Sequence, residues 1–305
     1  MSPRAIEVED LHKSYGGVQA VRGVDLHVDE GEIFALLGPN GAGKTTTVEI
    51  LEGHRKRSSG RVEVLGHDPG KGQRAYKERI GIVLQETGVE PFLTVAEVID
   101  LYRGYYPHPR PLDEIIELVG LGEKRDARVN KLSGGQRRRL DVAVGLAGDP
   151  DLLFLDEPTT GFDPSARRNA WEVVRNLVDI GKTVFLTTHY MDEAQTLADR
   201  VAIIVDGKIV AEGPPGALQG SAPAATTIEF SLASGVALPP ALGADGASRD
   251  GAYVLTTDEP LRVLHDLTGW ALDNDVELEG LAVARPSLED VYLQLTAAAE
   301  AEEHE

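Results

Sequence analysis

Apolar positions in the first two thirds of the chain follow two different patterns. Ile33–Leu37 and Leu152–Leu155 contain no polar residue, which is typical of parallel strands that are covered on both faces of a sheet. Residues 5–35 alternate apolar and polar positions, as in Ile6-Glu7-Val8-Glu9, and alternation of this kind predicts edge strands. Together the two patterns predict a layered α/β domain.

Helical spacing marks an insertion into the predicted sheet. The segment Val95–Tyr102 places apolar residues at helical intervals, and the simplest interpretation of that spacing is a helix packed on a core. We assign residues 33–85 and 150–210 to the parallel-sheet core, and residues from about 87 to 148 to an intervening helical subdomain. The domain that contains all of them spans residues 1–215.

A segment rich in Gly, Pro and Ala, residues 216–226, is the predicted linker to the rest of the chain. The sequence after it predicts a small α+β accessory domain at residues 227–296 without a catalytic constellation. Residues 297–305 hold four glutamates and no Lys or Arg, which predicts an acidic, frayed helix end. The predicted elements of the accessory domain are strands at Thr227–Leu232, Tyr253–Thr257 and Glu277–Ala284, and helices at Glu259–Ala271 and Leu288–Leu295.

Composition narrows the class of partner. The 305 residues include no cysteine and carry a formal net charge of −20, which excludes a disulfide framework and disfavours general binding to DNA or anionic lipid. Arg137-Arg138-Arg139 is a local exception, which we interpret as a solvated or subunit-facing patch rather than a nucleic-acid site. No window approaches the ~18–20 apolar residues of a membrane span. We therefore expect no nucleic-acid partner, and any transport path must come from another chain.

A glycine-rich loop joins the first apolar run to the helical run Thr47–Leu51. A loop of this type turns backbone N–H groups toward phosphate oxygens, and the helix N-terminus adds positive potential. Lys44 is predicted to reach the terminal phosphates and Thr45 to offer its hydroxyl to Mg2+. An ordinary glycine-rich turn, the alternative, leaves Lys44 and Thr45 unexplained. The loop consists of Gly38, Pro39, Asn40, Gly41, Ala42, Gly43, Lys44, Thr45 and Thr46.

Two acids stand at the end of the second apolar run. Asp156 and Glu157 follow Leu152–Leu155 directly, so we expect both beside the glycine-rich loop. Asp156 is placed to bind Mg2+. Glu157 is the candidate general base, because that role requires a carboxylate close to the γ-phosphate that the metal does not occupy. Alone, an acid pair at a strand end is more often a solvated turn, but the loop upstream favours the catalytic interpretation.

A third motif narrows the assignment. Leu132-Ser133-Gly134-Gly135-Gln136 leads into a helical stretch from Arg137 to Ala147, and a hydroxyl with exposed amides at a helix N-terminus forms a second anion site. In a purely structural interpretation, Ser133 is a plain N-cap and the glycines form a turn. With both loops and the acid pair, residues 5 to about 215 resemble the ATP-binding cassette (ABC) ATPase family, whose signature motif reads LSGGQ. The resemblance implies a P-loop NTPase with a RecA-like core, an antiparallel β subdomain and a helical subdomain.

The resemblance also implies roles for residues that no pattern singles out. Tyr15 matches the aromatic residue that stacks on adenine. Gln85 matches the glutamine that senses Mg2+ and the attacking water, and His189 matches the switch histidine at the γ-phosphate. Asp163 matches the loop that crosses to the second subunit, although Phe162 stands where the family usually has leucine. The implied catalytic set is Lys44, Gln85, Glu157 and His189, the metal set is Thr45, Gln85 and Asp156, and the ATP-binding set is Tyr15, residues 38–46, Ser133, Gly134, Gly135, Gln136 and Asp163.

By the same resemblance, two copies face each other head to tail, so that residues 133–135 of one subunit close over the ATP held by Lys44 of the other. Because the family's motif positions are filled, we expect a homodimer with two equivalent hydrolytic sites. A separate polytopic membrane permease would contact the surface near Gln85, which places the protein in the cytoplasm at the inner face of the cell membrane. Pro286–Leu293 resembles the closing segment of accessory domains on daunorubicin-resistance-type exporters of drugs or lipids, although Ser287 as an N-cap accounts for part of that similarity.

Two other functions stay open. A soluble cassette ATPase of translation, cluster assembly or DNA repair would have no membrane partner. The single cassette, the lack of a coiled-coil or zinc insertion and the acidic charge argue against it. A nucleotide-gated interaction module with little turnover is disfavoured by the complete catalytic set.

Overall fold

The computed structural model describes residues 3–83, 88–221, 226–233, 236, 238–239, 252–284 and 288–293. The chain forms two compact units, Met1–Pro215 and Gly216–Glu305. The first unit contains, in chain order, β1 (Arg4–Tyr15), β2 (Val18–Asp29), β3 (Ile33–Leu37), α1 (Lys44–Leu51), β4 (Ser59–Val64), α2 (Arg74–Lys77), β5 (Ile80–Val83), α3 (Val95–Arg103), α4 (Leu112–Leu118), α5 (Gly134–Gly145), β6 (Leu152–Asp156), α6 (Pro164–Asp179), β7 (Thr183–Thr188), α7 (Met191–Leu197), β8 (Arg200–Val205) and β9 (Lys208–Gly213). Helix α8 (Pro215–Ser221) lies at the start of the predicted linker.

The central sheet of the first unit has six strands in the order β5-β6-β7-β3-β8-β9. Its strand pairs are parallel except for the antiparallel pair of β8 and β9. Every residue of β3 is buried, as are Leu152–Leu155 of β6, which confirms that the uninterrupted apolar runs are strands covered on both faces. Because β3, β6 and β7 are parallel neighbours, their carboxyl ends meet at one edge of the sheet.

A second, three-stranded antiparallel sheet has the order β2-β1-β4. Strand β1 alternates in part between buried and accessible positions, with Ile6 and Val8 in the core, as its sequence pattern predicted. The edge position predicted for this segment was wrong for β1, because β1 pairs with β2 on one side and with β4 on the other. Tyr15 is the last residue of β1. The fold class is therefore α/β with an antiparallel β subdomain, as expected.

The helical subdomain contains α3, α4 and α5. Helix α3 begins with a capping box in which Thr94 and Glu97 exchange hydrogen bonds between side chains and backbone. Its buried residues are Val95, Val98 and Ile99, so the helical spacing of this segment is confirmed. Among the described helices, none combines the length and the apolar character that crossing a membrane requires.

The second unit contains β10 (Thr226–Ser231), β11 (Ala252–Thr257), α9 (Pro260–Asp273) and β12 (Glu279–Ala284), and its strands form an antiparallel sheet in the order β11-β10-β12. The sheet and helix pack around Ile228, Phe230 and Leu267. Residues 288–293 are helical, whereas Ser287 and the acidic tail 297–305 lie outside the described residues. The three strands and α9 lie within about two residues of the elements predicted.

Candidate functional site

The glycine-rich loop connects the end of β3 to the start of α1. A side chain at position 38 would place its Cβ 2.3 Å from the carbonyl oxygen of Ile204, and one at position 43 would place it 2.5 Å from that of Ala20. Gly43 also has φ of 102° and caps α1 in a left-handed conformation, which favours glycine. Helix α1 begins at Lys44, three residues before the run Thr47–Leu51 that predicted it. The glycines therefore allow the loop to form a tight backbone cradle at the N-terminus of α1.

Lys44 is buried inside this loop. Its Nζ donates to the carbonyl oxygens of Gly38 (2.8 Å) and Pro39 (3.2 Å), and lies 3.6 Å from Oε1 of Glu157. Burial lowers the pKa of Lys44, although the carboxylate of Glu157 opposes that shift. The ammonium is thus held between the loop and the end of β6.

Glu157 is at the centre of a strand-end cluster that consists of Lys44, Glu157 and His189. Its Oε1 lies 3.2 Å from Nδ1 of His189, and its Oε2 accepts a hydrogen bond of 3.1 Å from Oγ1 of Thr160. Burial alone would raise the pKa of Glu157, but the hydrogen bonds and the charges of His189 and Lys44 outweigh it, so that the pKa lies below its ordinary value. The carboxylate is therefore ionised at neutral pH and can act as a base.

Asp156 and Thr45 are the residues of the site whose side-chain oxygen atoms are suited to bind Mg2+. Asp156 ends β6 and Thr45 is exposed in the first turn of α1. Among the described residues, no three His, Asp or Glu side chains form a group that could hold a metal ion. Mg2+ commonly uses one or two protein oxygens together with substrate phosphates and water, so a carboxylate and a hydroxyl beside a phosphate loop fit it.

Tyr15 lies in a basic environment. Its ring is 38% exposed, with Nζ of Lys13 4.8 Å and the guanidinium of Arg55 5.2 Å from the ring centre. Arg55 is itself fixed by an ion pair of 2.5 Å with Glu49. Arg55 could not be predicted as a neighbour of Tyr15, because it lies in the segment after α1 and contacts the ring only in the folded chain.

The signature motif forms the N-terminus of α5. Ser133 is its N-cap: Ser133 Oγ accepts from the backbone N–H of Gln136 (3.3 Å), and the Gln136 side chain accepts from the N–H of Ser133 (3.0 Å). The structural interpretation of Ser133 is therefore confirmed. It is compatible with anion binding, because an oxygen that accepts in the cap still has its O–H to donate.

A cavity of about 450 Å3 separates the signature loop from the start of α6. Asp163 is the N-cap of α6 and accepts from the backbone N–H groups of Ser165 and Ala166, each at 2.9 Å. Ser133, Gly134, Gly135, Gln136 and Asp163 all line the cavity. The structure thus brings the predicted ATP-binding residues of the signature motif and Asp163 together on one open surface, which we call the signature surface.

Gln85 lies outside the described residues, so its predicted role stays a prediction.

The basic run after the signature motif was interpreted as a solvated or subunit-facing patch, and this was wrong for Arg138. Arg138 is 7% exposed and donates to the carbonyl oxygens of Pro158 (3.1 Å, from Nε) and Asp156 (3.1 Å, from Nη2). Burial lowers the pKa of this guanidinium. Helix α5 is therefore tied to the acid-bearing end of β6, a contact that three consecutive arginines could not reveal.

Comparison with known proteins identifies the family of each unit. The family model "ABC transporter" matches residues 21–160, and the model "ABC transporter domain-containing protein-like, C-terminal domain" matches residues 226–287. The daunorubicin/doxorubicin resistance ATP-binding protein DrrA of Streptomyces peucetius is 45% identical over 223 residues, covering 72% of this chain and 68% of the relative. The Nod factor export ATP-binding protein I of Rhizobium sp. (strain N33) is 39% identical over 306 residues, covering 97% and 98%. The daunorubicin resistance ATP-binding protein DrrA3 of Streptomyces coeruleorubidus is 36% identical over 307 residues, covering 97% of both chains.

Solved structures give the same family. The cbiO1 protein from Clostridium perfringens, part of the ABC transporter complex cbiONQ, aligns with a TM-score of 0.63 and 28% identity, covering 72% of this chain and 92% of that one. A dimeric ATP-binding cassette in a post-hydrolysis state, bound to ADP and Pi, aligns with a TM-score of 0.61 and 25% identity, covering 68% and 98%.

Proposed function

The chain belongs to the ATP-binding proteins of ABC transporters, and we propose that it hydrolyses ATP to drive a separate membrane permease that exports drugs, antibiotics or lipids. Relatives that cover nearly the whole chain are named for daunorubicin resistance and Nod factor export. Their names support an exporter, and the nature of the cargo comes to this chain only by that similarity.

The observation that carries the ATPase is the position of Glu157. Its carboxylate lies at the carboxyl end of β6, 3.6 Å from Lys44 Nζ and 3.2 Å from His189 Nδ1. Lys44 marks where terminal phosphates would bind, because the surrounding loop offers backbone N–H groups and a fixed positive charge. Glu157 is thus a base next to the γ-phosphate position, where it can orient a water molecule and accept its proton.

The other site residues have supporting roles in this proposal. His189 contacts Glu157 and would donate a hydrogen bond to the γ-phosphate as negative charge develops there during hydrolysis. Asp156 and Thr45 would hold Mg2+, which when bound reduces the negative charge on the phosphate oxygens. Gln85 keeps its predicted role beside the metal and the water, and Tyr15 its role as the stacking platform for adenine.

A homodimer completes the site. The cavity at Ser133, Gly135 and Asp163 presents a hydroxyl and the N-terminus of α5, which suits a phosphate supplied by another copy. We propose that Ser133, Gly134, Gly135 and Gln136 close over the ATP of the second subunit, with Asp163 at the crossing. The similar cassette that was solved as a dimer bound to ADP and Pi supports the dimer itself.

Glu157→Gln tests the catalytic assignment. The variant keeps the shape of the side chain and removes the base, so we expect ATP binding to persist, the dimer to accumulate, and turnover to fall by about 10²–10⁴-fold. Steady-state phosphate release and size-exclusion chromatography with ATP measure the two effects. Glu172→Gln, an exposed change on α6, is the matched control and should hydrolyse ATP normally. Unchanged turnover in Glu157→Gln would remove Glu157 from its role.

The same variant tests the transporter assignment. Tagged Glu157→Gln protein, recovered from gently solubilised membranes with ATP present, should copurify with a stoichiometric polytopic membrane protein. Recovery as a bare dimer, or with ribosomal, cluster-assembly or DNA-bound partners, would instead establish the soluble cassette ATPase that the sequence left open.

A further inference from the structure

Thr187 lies between the two acids of the site, although no motif includes it. It is the fifth residue of β7 and is fully buried. In the parallel register of β6 and β7, Thr187 is directly opposite Asp156. Its side chain therefore lies where the two strands end, next to the carboxylate of Asp156, which is proposed to bind Mg2+. The proposed base, Glu157, is the next residue along the chain from Asp156.

The hydroxyl of Thr187 contacts both acids. Oγ1 of Thr187 lies 2.5 Å from Oδ1 of Asp156 and 3.1 Å from the backbone nitrogen of Glu157. An ionised carboxylate can only accept, so the single hydroxyl proton of Thr187 goes to Asp156 and a lone pair of the oxygen accepts the N–H of Glu157. The two bonds are mutually consistent and fix the orientation of the hydroxyl.

The backbone at Glu157 requires support at this point. Glu157 has φ of +44°, a left-handed conformation that costs a non-glycine residue free energy and persists only when neighbouring groups hold it. The N–H of Glu157 is shared between the hydroxyl and the carbonyl oxygen of Thr187, at 3.1 and 3.2 Å. This turn directs the Glu157 carboxylate toward Lys44 and His189.

We propose that Thr187 is a positioning residue that sets Asp156 for the metal and Glu157 for the water through one hydroxyl group. The proposal rests on the proposed ATPase function and adds to it a residue that touches neither metal nor nucleotide. Partners of this kind in the outer shell of a metal site orient the ligand, and their loss typically lowers metal affinity or activity by about 10–100-fold.

The same strand provides a matched control. Thr183 is also buried, and its Oγ1 accepts the N–H of Gly31 at 3.0 Å. It lies at the opposite end of β7 from the acids. Thr183→Val and Thr187→Val each remove one buried hydroxyl from the same strand and preserve side-chain shape, so a merely structural role predicts the same outcome for both.

Two titrations test the proposal. The first measures the Mg2+ concentration that gives half-maximal ATPase activity. The second follows Mn2+ binding by electron paramagnetic resonance in protein saturated with a non-hydrolysable ATP analogue. We expect Thr187→Val to raise both half-saturation concentrations by about 10–100-fold and to lower kcat at saturating metal. Thr187→Ser keeps the hydroxyl and should restore both, and Thr183→Val should match the wild type.

The outcomes separate this proposal from the proposed function. Thermal unfolding identifies variants that fold, and Thr187→Ala replaces Thr187→Val if the latter does not. Wild-type metal dependence in a folded Thr187 variant, or a shift equal to that of Thr183→Val, would overturn the role of Thr187 alone. Absence of nucleotide-dependent Mn2+ binding in the wild type would overturn the proposed function and this proposal together.

Discussion

The two surfaces proposed to meet phosphate are built in different ways. At the strand-end cluster, Lys44 and His189 both contact the carboxylate of Glu157. At the signature surface, Ser133 and Asp163 each use the side chain to cap their own helix. The first surface holds a base and a cation in mutual contact, whereas the second offers helix N-termini and a hydroxyl around an open cavity. In the proposed function, the first surface therefore carries out the hydrolysis, and the second acts on the nucleotide of a second copy.

Mixing two inactive variants gives the strongest test of this difference. Lys44→Ala removes the cation of the strand-end cluster, and Ser133→Asp keeps a good N-cap while placing a negative charge against the partner's phosphate. We expect each homodimer to lose about 10²–10³-fold in ATPase activity, the range found when one electrostatic group is removed from a site. In a mixed head-to-tail dimer, one site carries both changes and the other carries neither. An equal mixture should therefore recover about a quarter of wild-type activity, because half of the dimers are mixed and half of their sites are intact.

Phosphate release from equal and skewed mixtures measures the recovery. Lys182→Ala, which removes an ion pair of 2.8 Å with Asp149 outside the proposed site, is the control for loss of a lysine and should hydrolyse ATP normally. If mixtures recover no activity while both variants fold and dimerise, each subunit contains its whole site and the contrast drawn between the two surfaces is wrong.

The sequence predicted the motif residues of the site but not the contacts that support them. The glycines, Lys44 and the acid pair follow apolar runs, so strand topology alone brings them together. The contacts of Thr187 and Arg138 could not be predicted, because they join residues 31 and roughly 20 positions apart in the chain through the register of β6 and β7 and the packing of α5. A threonine in a buried strand and the middle arginine of three look ordinary until the neighbouring element is in place.

A smaller effect is expected at Tyr15, the residue proposed to stack on adenine. Tyr15→Ala should weaken ATP binding by about 1–3 kcal/mol, the usual contribution of one aromatic ring stacked on a base. Competition with inorganic tripolyphosphate should be unchanged, because that ligand has no base. Fluorescence titration with a labelled nucleotide measures both affinities, and Tyr15→Phe is the control that keeps the ring. Equal weakening toward both ligands would assign Tyr15 a structural role in the cradle instead.

The smallest effect on activity is expected at Glu52, a buried acid whose pKa depends in part on the charge of Asp156. Glu52 follows α1, is 3% exposed, and lies 3.2 Å from Nδ1 of His54. Burial, followed by the charges of Asp156 and Glu49, raises the pKa of Glu52 from 4.5 to about 8. Between those values the unfolded chain releases a proton that the folded chain retains. The free energy of unfolding should therefore fall as pH rises from about 4.5 to about 8.

Glu52→Gln should remove that decline, because the amide has no proton to lose. Urea unfolding at pH 5 and pH 8 should show a variant more stable than the wild type by about 3–4 kcal/mol at pH 8 and similar to it at pH 5, each pKa unit corresponding to about 1.4 kcal/mol. ATPase activity should be nearly unchanged, since Glu52 is not among the residues proposed to contact the nucleotide. Asp156→Asn removes one of the charges that raise the pKa of Glu52, so it should make the wild-type decline shallower. If Glu52→Gln instead declines with pH as the wild type does, the buried carboxyl is ionised in the folded chain, and the electrostatic link between the strand ends and the base of α1 does not exist.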